Sequence, residues 1–187
     1  MKGQIFITFG VLMIALSVIL YANWFKPYPD YVEKISLKNI NSEIREISEF
    51  AMLNSSVEST LNNYFNFLVE NVRGKNLSLS IVYCYVNDSG ITLGNFLKTD
   101  SDFNLTITDG AGKRSYDFGT IAAGASEFRT LTPNGDYTIQ ISYQNPDKSD
   151  SFTFSGRSGE QVVSLLLDFS IYHKSGKTQI LISRTLK

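Results

Sequence analysis

Catalytic and metal-binding side chains are scarce in this sequence. Among its 187 residues there is one cysteine, one histidine and one tryptophan. A single cysteine, Cys84, excludes an intrachain disulfide and a thiolate metal cluster. Its place within an alternating apolar run makes it a small core residue rather than a reactive thiol. A single histidine, His173, leaves zinc short of the three or four His, Cys or carboxylate ligands it takes. His173 stands between Tyr172 and Lys174 at a hairpin end, where an exposed strand-end residue is expected and not the base of a nucleophilic triad. Charge of one sign is also lacking, with 17 Lys plus Arg against 18 Asp plus Glu and a formal net charge of −1. Nucleic acid as a partner needs clustered cations to displace counterions, so no nucleic-acid binding is expected. No Gly-rich loop opens a helix; Gly110 and Gly119 separate strands, which excludes a phosphate or dinucleotide cradle. The chain reads as non-enzymatic, without cofactor.

Two carboxylate patterns fail in the same way. Asp100-Ser101-Asp102-Phe103-Asn104 begins like an oxygen-ligand loop. The sixth position is Leu105 rather than Gly, however, and the twelfth is Ala111 rather than Glu, so the helix-loop-helix calcium motif is excluded. A looser cation site would require Asp100 and Asp102 to meet Asp147 or Asp150 in space. Paired carboxylates for glycoside hydrolysis cannot be picked out, because every candidate lies in a turn.

What the sequence does have is a long apolar beginning. From Ile5 to Ala22, eighteen residues, the only polar side chains are Thr8 and Ser17, whose hydroxyls can bond back to a helix carbonyl and cross lipid at low cost. Eighteen residues at about 1.5 Å each span roughly 27 Å, close to the hydrocarbon thickness of a bilayer. Tyr21, Trp24 and Phe25 follow as amphipathic rings suited to the headgroup level, and Lys26 with Pro27 and Pro29 ends the helix. Leu20 stands where a signal peptidase wants a small residue before a cut after Ala22, which favours a retained anchor. The short head before Gly3 favours a cytoplasmic N-terminus and an extracytoplasmic C-terminal domain.

Lys2-Gly3-Gln4 followed directly by an apolar helix resembles the class III signal segment of archaeal pilins and archaellins, over about the first twenty residues. The resemblance implies cleavage between Gly3 and Gln4 and an archaeal cell-envelope setting. Two departures bear on filament assembly. Thr8 stands where those proteins usually carry an acidic residue, and the first helix stops at Pro27 where theirs commonly runs on. An envelope component is implied, not a filament core subunit.

Residues 1–26 are thus read as an anchor or class III signal segment, 27–75 as a helical stalk and 76–187 as a β-sandwich. In the stalk, Ile40, Ile44, Ile47 and Ala51 form one helical stripe over 41–53. Ser55 with Glu58 makes a capping box for a second helix carrying Val57, Leu61, Phe65, Leu68 and Val72, stopped at Gly74. The stripes are expected to lie on the β domain or on each other; self-association as a coiled coil is the alternative.

From Leu77 the apolar period becomes two. Leu77, Leu79, Ile81, Tyr83 and Tyr85 alternate with Ser78, Ser80, Val82, Cys84 and Val86, which predicts a strand with one well-buried face. Further strands are predicted at 91–97, 103–108, 114–118, 127–131, 137–143 and 151–155. A final hairpin joins 161–173 to 178–185, its first arm central in a sheet. Asp109-Gly110 predicts a hairpin turn. The segment Leu131 to Ile139, with a Gly turn before Tyr137, looks like the entry to a late strand of immunoglobulin-like domains. The expected fold is therefore mainly β: an antiparallel immunoglobulin-like sandwich behind a transmembrane helix and one or two amphipathic helices.

Asn-x-Ser/Thr sequons occur at Asn54, Asn76, Asn87 and Asn104; Asn54 and Asn87, in apparent loops, are the better sugar acceptors. The expected role is a non-catalytic, single-pass membrane-anchored envelope protein whose sandwich binds other envelope or filament proteins or glycans, with the lipid bilayer as its first partner. The alternative is a membrane-tethered enzyme acting on cell-surface polymers.

Overall fold

The computed structural model describes residues 29–53, 56–72, 77–173 and 176–187. The anchor segment with Gly3, Gln4, Tyr21, Trp24 and Phe25 lies outside the described residues, as do Asn54, Ser55, Gly74 and Asn76. Among the described residues, no helix is long and apolar enough to cross a membrane. The chain divides into two compact units, Met1–Glu43 and Ile44–Lys187. The unit that holds the strands begins at Ile44, and its first strand at Leu77.

Of the first unit, Pro29–Glu43 is helical, the opening part of helix α1 (Pro29–Leu53). The helix starts at Pro29 rather than near Asn41. Proline suits a first helical turn, where its missing N–H has no partner to lose. Asp30 and Glu33 complement the positive helix end, and no Gly or Pro interrupts the chain until Gly74.

The second unit contains the end of α1, helix α2 (Val57–Val72) and nine strands among the described residues: β1 Leu77–Asn87, β2 Gly90–Phe96, β3 Ser101–Asp109, β4 Gly112–Ile121, β5 Ala125–Arg129, β6 Asp136–Gln144, β7 Ser149–Arg157, β8 Val162–His173 and β9 Gly176–Leu186. All pairings are antiparallel. They build a five-stranded sheet in the order β5-β2-β1-β8-β9 and a four-stranded sheet in the order β4-β3-β6-β7. This is the expected sandwich, and β8, the expected central strand, is paired on both sides.

In the four-stranded sheet the alternation is clean. Phe103, Leu105 and Ile107 of β3, with Ile139 and Ile141 of β6, are fully buried, while Asp102, Asn104 and Thr108 are exposed. The inward set meets Val82, Cys84, Val86, Leu93 and Leu166 of the five-stranded sheet in one core. Cys84 is a free, buried thiol there, pushed above its ordinary pKa by burial.

The five-stranded sheet corrects the expectation of one buried face for β1, because both of its faces are covered. Residues 81–86 are all buried. α2 packs on β1 and β2, bringing the Phe65 ring 5.7 Å from Tyr83 and 5.6 Å from Phe96, while Tyr83 and Phe96 stack at 6.0 Å. Val57, Leu61 and Phe65 of the predicted stripe are buried, so the sheet takes up α2's apolar face. Three rings lie across glycines of neighbouring strands: Tyr83 over Gly94, Tyr137 over Gly156 and Phe128 over Gly90, each where a Cβ would collide with the ring.

Polar pins close the edges. Asn95 is fully buried; its Nδ2 donates to the carbonyls of Thr99 and Ile121, and its Oδ1 accepts from the Leu97 N–H. Asp109 accepts from the N–H groups of Ala111 and Asn134 and from the Arg114 guanidinium. These bonds, led by the one from Asn134, hold its carboxyl below the usual range. Lys148, between β6 and β7, bridges the sheets by pairing with Asp150 at 2.9 Å and with Asp168 of β8 at 3.0 Å.

Candidate functional groove

One concavity of the second unit begins with the chain leaving α1 and entering α2. The Ser56 carbonyl accepts the first helical bond, from the Thr60 N–H at 3.0 Å, which makes Ser56 the N-cap. α2 lies on β1 and β2 from there, and its first turn stands beside β5, the short edge strand. Between them an open groove of about 770 Å³ runs across the helix-side face of the five-stranded sheet.

Its floor and walls are set by two hydrogen-bond chains. Along α2, the Tyr83 hydroxyl donates to Asn62 Oδ1 at 2.8 Å, Asn62 Nδ2 donates to Ser126 Oγ at 2.8 Å, and Ser126 donates to Glu58 Oε1 at 2.8 Å. Every donor points the same way, toward the carboxylate, an arrangement in which successive bonds polarise one another. Burial raises the Tyr83 phenol well above its ordinary pKa, so it stays a donor. At the far end of the groove, Asn87 Nδ2 donates to the Tyr85 hydroxyl at 3.2 Å, which donates to Gln161 Oε1 at 3.3 Å. Phe128 completes the lining. Cross-strand to Thr92, it lies with its ring against Gly90 and remains 45% exposed.

A shallower depression lies at the β6–β7 end, with Asp136, Arg157, Glu160 and Lys187 in its lining. Its charges are already paired. Arg157 Nε donates to Asp136 at 2.7 Å, and Lys187 stands 3.4 Å from Glu160. The Arg157 hydrogen bond holds the Asp136 carboxyl below its ordinary pKa, the opposite of what a general acid needs.

The sequence-expected residues fall as follows. Asn87 ends β1, where its Oδ1 accepts from the N–H groups of Ser89 and Gly90 at 2.8 and 3.0 Å; with Nδ2 on Tyr85, its amide serves both the turn and the groove. Asn104 is exposed on the outer face of β3. His173 is the last residue of β8, paired with Gly176. Asp100 accepts from the Ala123 N–H at 2.9 Å and Asp102 from the Thr120 hydroxyl, whereas Asp150 is held by Lys148. The strand alternation turns Asp102 outward and Asp150 toward the other sheet, so these carboxylates do not converge. Among the described residues no three His, Cys, Asp or Glu side chains group as metal ligands.

Sequence reasoning missed Asn62, Phe128 and Gln161, and it assigned Glu58 only a capping role. The one available signal was Phe128, a large ring in a short run of otherwise polar strand residues. Comparison with protein-family models, with curated proteins and with solved structures finds no match to this chain.

Proposed function

We propose that the chain is a non-catalytic, single-pass membrane-anchored envelope protein that displays its sandwich for interaction with other surface components. The observation that carries this reading is the uncharged stretch Ile5–Ala22, set ahead of a domain whose two cores are filled. The first seven strands support an immunoglobulin-like assignment. β1, β2 and β5 pair as A, B and E strands do, and β4-β3-β6-β7 pair as C′, C, F and G. Tyr137 stands at the start of β6, the counterpart of strand F, but its hydroxyl is buried without a hydrogen-bond partner among the described residues and so does not make the corner tyrosine's bond to upstream backbone; β8–β9 are an addition beside β1.

In this reading the N-terminus lies inside and the sandwich outside. Lys2-Gly3-Gln4 supports a pilin-like or archaellum-accessory component partnered by the bilayer and by envelope or filament proteins. The alternative, an envelope enzyme cutting surface polymers, needs two facing carboxylates, whereas among the described residues Glu58 is the one carboxylate lining the groove.

Fractionation of cells expressing the full chain tests the anchor. Detergent-dependent release is expected, and recovery as a compact soluble monomer without detergent overturns the reading. Mass spectrometry of the membrane-purified N-terminus then separates prepilin processing, with Gln4 first, from a plain anchor beginning at Met1. Protease added to whole cells should reach Lys187.

A further inference from the structure

We infer that the groove beside β5 is a saccharide-binding subsite: a neutral sugar ring stacks on the open face of Phe128, its hydroxyls bonded to Glu58 and to the amide of Gln161. The inference rests on the reading of the domain as a surface interaction module and names the ligand class that such a module takes.

Three observations carry it. Phe128 is built as a platform. Its ring is laid against Gly90, where any Cβ would collide with it and with the Arg129 carbonyl, and its remaining surface is exposed. An aromatic held from behind by a glycine offers a flat apolar face without losing side-chain freedom on binding. The axial C–H groups on one side of a pyranose match such a face in size and polarity.

Second, the polar groups around the ring are planar and pre-oriented. Glu58 is fixed by Ser126 at the end of the donor chain from Tyr83. Gln161 is turned so that its Oε1 accepts from Tyr85, which leaves its Nε2 as a donor. A carboxylate accepts and an amide N–H donates. Together they match neighbouring hydroxyls, which both give and receive hydrogen bonds.

Third, the charge of the lining disfavours anionic ligands. Among the described residues Glu58 is the one charged residue lining the groove, so phosphates and acidic sugars meet repulsion there without a compensating cation among those residues. The size suits the proposal as well: about 770 Å³ falls within the range of small-ligand sites, roughly 300–1,000 Å³, and holds a di- or trisaccharide.

The test uses the full chain in a detergent without a sugar headgroup, titrated with maltose, N,N′-diacetylchitobiose and digalacturonate and followed by saturation-transfer NMR and calorimetry. Binding of a neutral disaccharide is expected, weakened at least tenfold by Phe128→Ala and several-fold by Glu58→Gln, with digalacturonate bound more weakly than either neutral sugar. Phe128→Trp keeps the platform and should retain affinity, which separates loss of stacking from misfolding; circular dichroism of each variant checks the fold. Absence of binding by both neutral sugars, equal binding by Phe128→Ala, or preference for digalacturonate overturns the subsite. So does displacement of bound sugar by an unrelated extended peptide at equal concentration. If sugar fails to bind while the chain still requires detergent for release, the subsite falls and the envelope reading stands. If a bound disaccharide is cleaved, the subsite stands and the non-catalytic reading falls.

Discussion

The two sheets of the sandwich bury their strands differently. The four-stranded sheet has one wet face, and its β3 and β6 alternate apolar and polar residues without exception at their centres. The five-stranded sheet has none along β1, β2 and β8, which are buried on both faces. A strand with one neighbour layer must alternate; a strand between two layers must not. The difference explains why a period-two pattern identifies both sheets as β but misjudges the second as half-exposed. It also locates the groove, which opens where the helical cover over the five-stranded sheet ends near β5.

Truncation in the covered face should break this comparison most sharply. Phe65 touches Tyr83 and Phe96 from the helix side and is fully buried, so Phe65→Ala is expected to cost about 4 kcal/mol. Thr153→Ala, on the exposed outer face of the four-stranded sheet, should change stability by less than about 0.5 kcal/mol. Urea unfolding followed by circular dichroism measures both. Similar losses for the two variants would mean that α2 is not a true layer.

The next effect concerns the ring that joins helix to sheet. Gly94 sits cross-strand to Tyr83, and an added methyl collides with its ring. Overpacking of this kind costs about 1–3 kcal/mol. Gly94→Ala should fall at the upper end, since displacing Tyr83 also breaks its bond to Asn62. Gly112→Ala is no control, because its φ of 106° strains any side chain. Asn62→Ala is the cleaner second variant. It leaves the Tyr83 hydroxyl buried without its acceptor, at about 1–3 kcal/mol, and it also releases Ser126 and Glu58. Equal thermal stability of Asn62→Ala and the parent protein would show that the donor chain contributes nothing to holding α2.

A smaller effect tests the tie between the sheets at their other edge. Lys148 meets Asp150 and Asp168 with about a third of its side chain still exposed and Asp168 mostly buried; surface pairs are worth up to about 1 kcal/mol, and this partly buried one should stand at the top of that range. Lys148→Met should cost about that much, less in high salt. A cost of several kcal/mol would mean that the sheets depend on this ion cluster rather than on their shared apolar core.

How much of this was legible in the chain depends on how local the cause is. β1, β3, β6, β8 and α2's buried stripe follow from side-chain period, because Leu105 and Ile139 or Leu61 and Phe65 record their own burial, whereas β4 and β5, mostly exposed, follow from the turn residues around them. The turn at Asp109-Gly110 follows from backbone chemistry that is equally local. The covering of β1 on its second face was hidden, since nothing in Tyr83 or Tyr85 tells which layer they meet. The groove was hidden more deeply. Glu58 and Ser126 are 68 positions apart, and Glu58 has the same identity and spacing whether it caps its own helix or receives a hydroxyl from a distant strand. Phe128 looked like an ordinary strand aromatic until Gly90 was seen behind it.

The mildest perturbation, pH, acts with opposite sign on buried phenols and on hydrogen-bonded carboxylates. Burial raises the phenols of Tyr83, in the covered face, and of Tyr137 and Tyr143, in the inter-sheet core. Lys148 is raised too: its partial burial works against the charge, and the bonds to Asp150 and Asp168 outweigh it. A group whose folded pKa lies above its unfolded value contributes fully below that unfolded value, about 10 for Tyr and Lys, and loses its contribution as pH climbs toward the folded one. Asp109 and Asp136 are shifted the other way, by the hydrogen bonds from Asn134 and Arg157 respectively. Their contribution is present above the unfolded value of about 4 and disappears as pH falls through the folded ones. Tm should therefore be level from about pH 5 to 9 and decline on both sides. Asp109→Asn removes the titrating carboxylate at the β3–β4 turn and should flatten the acid limb alone. Tyr143→Phe should flatten the alkaline limb alone. A variant that moves the wrong limb would show that its charge state is coupled to a group that titrates on the other limb.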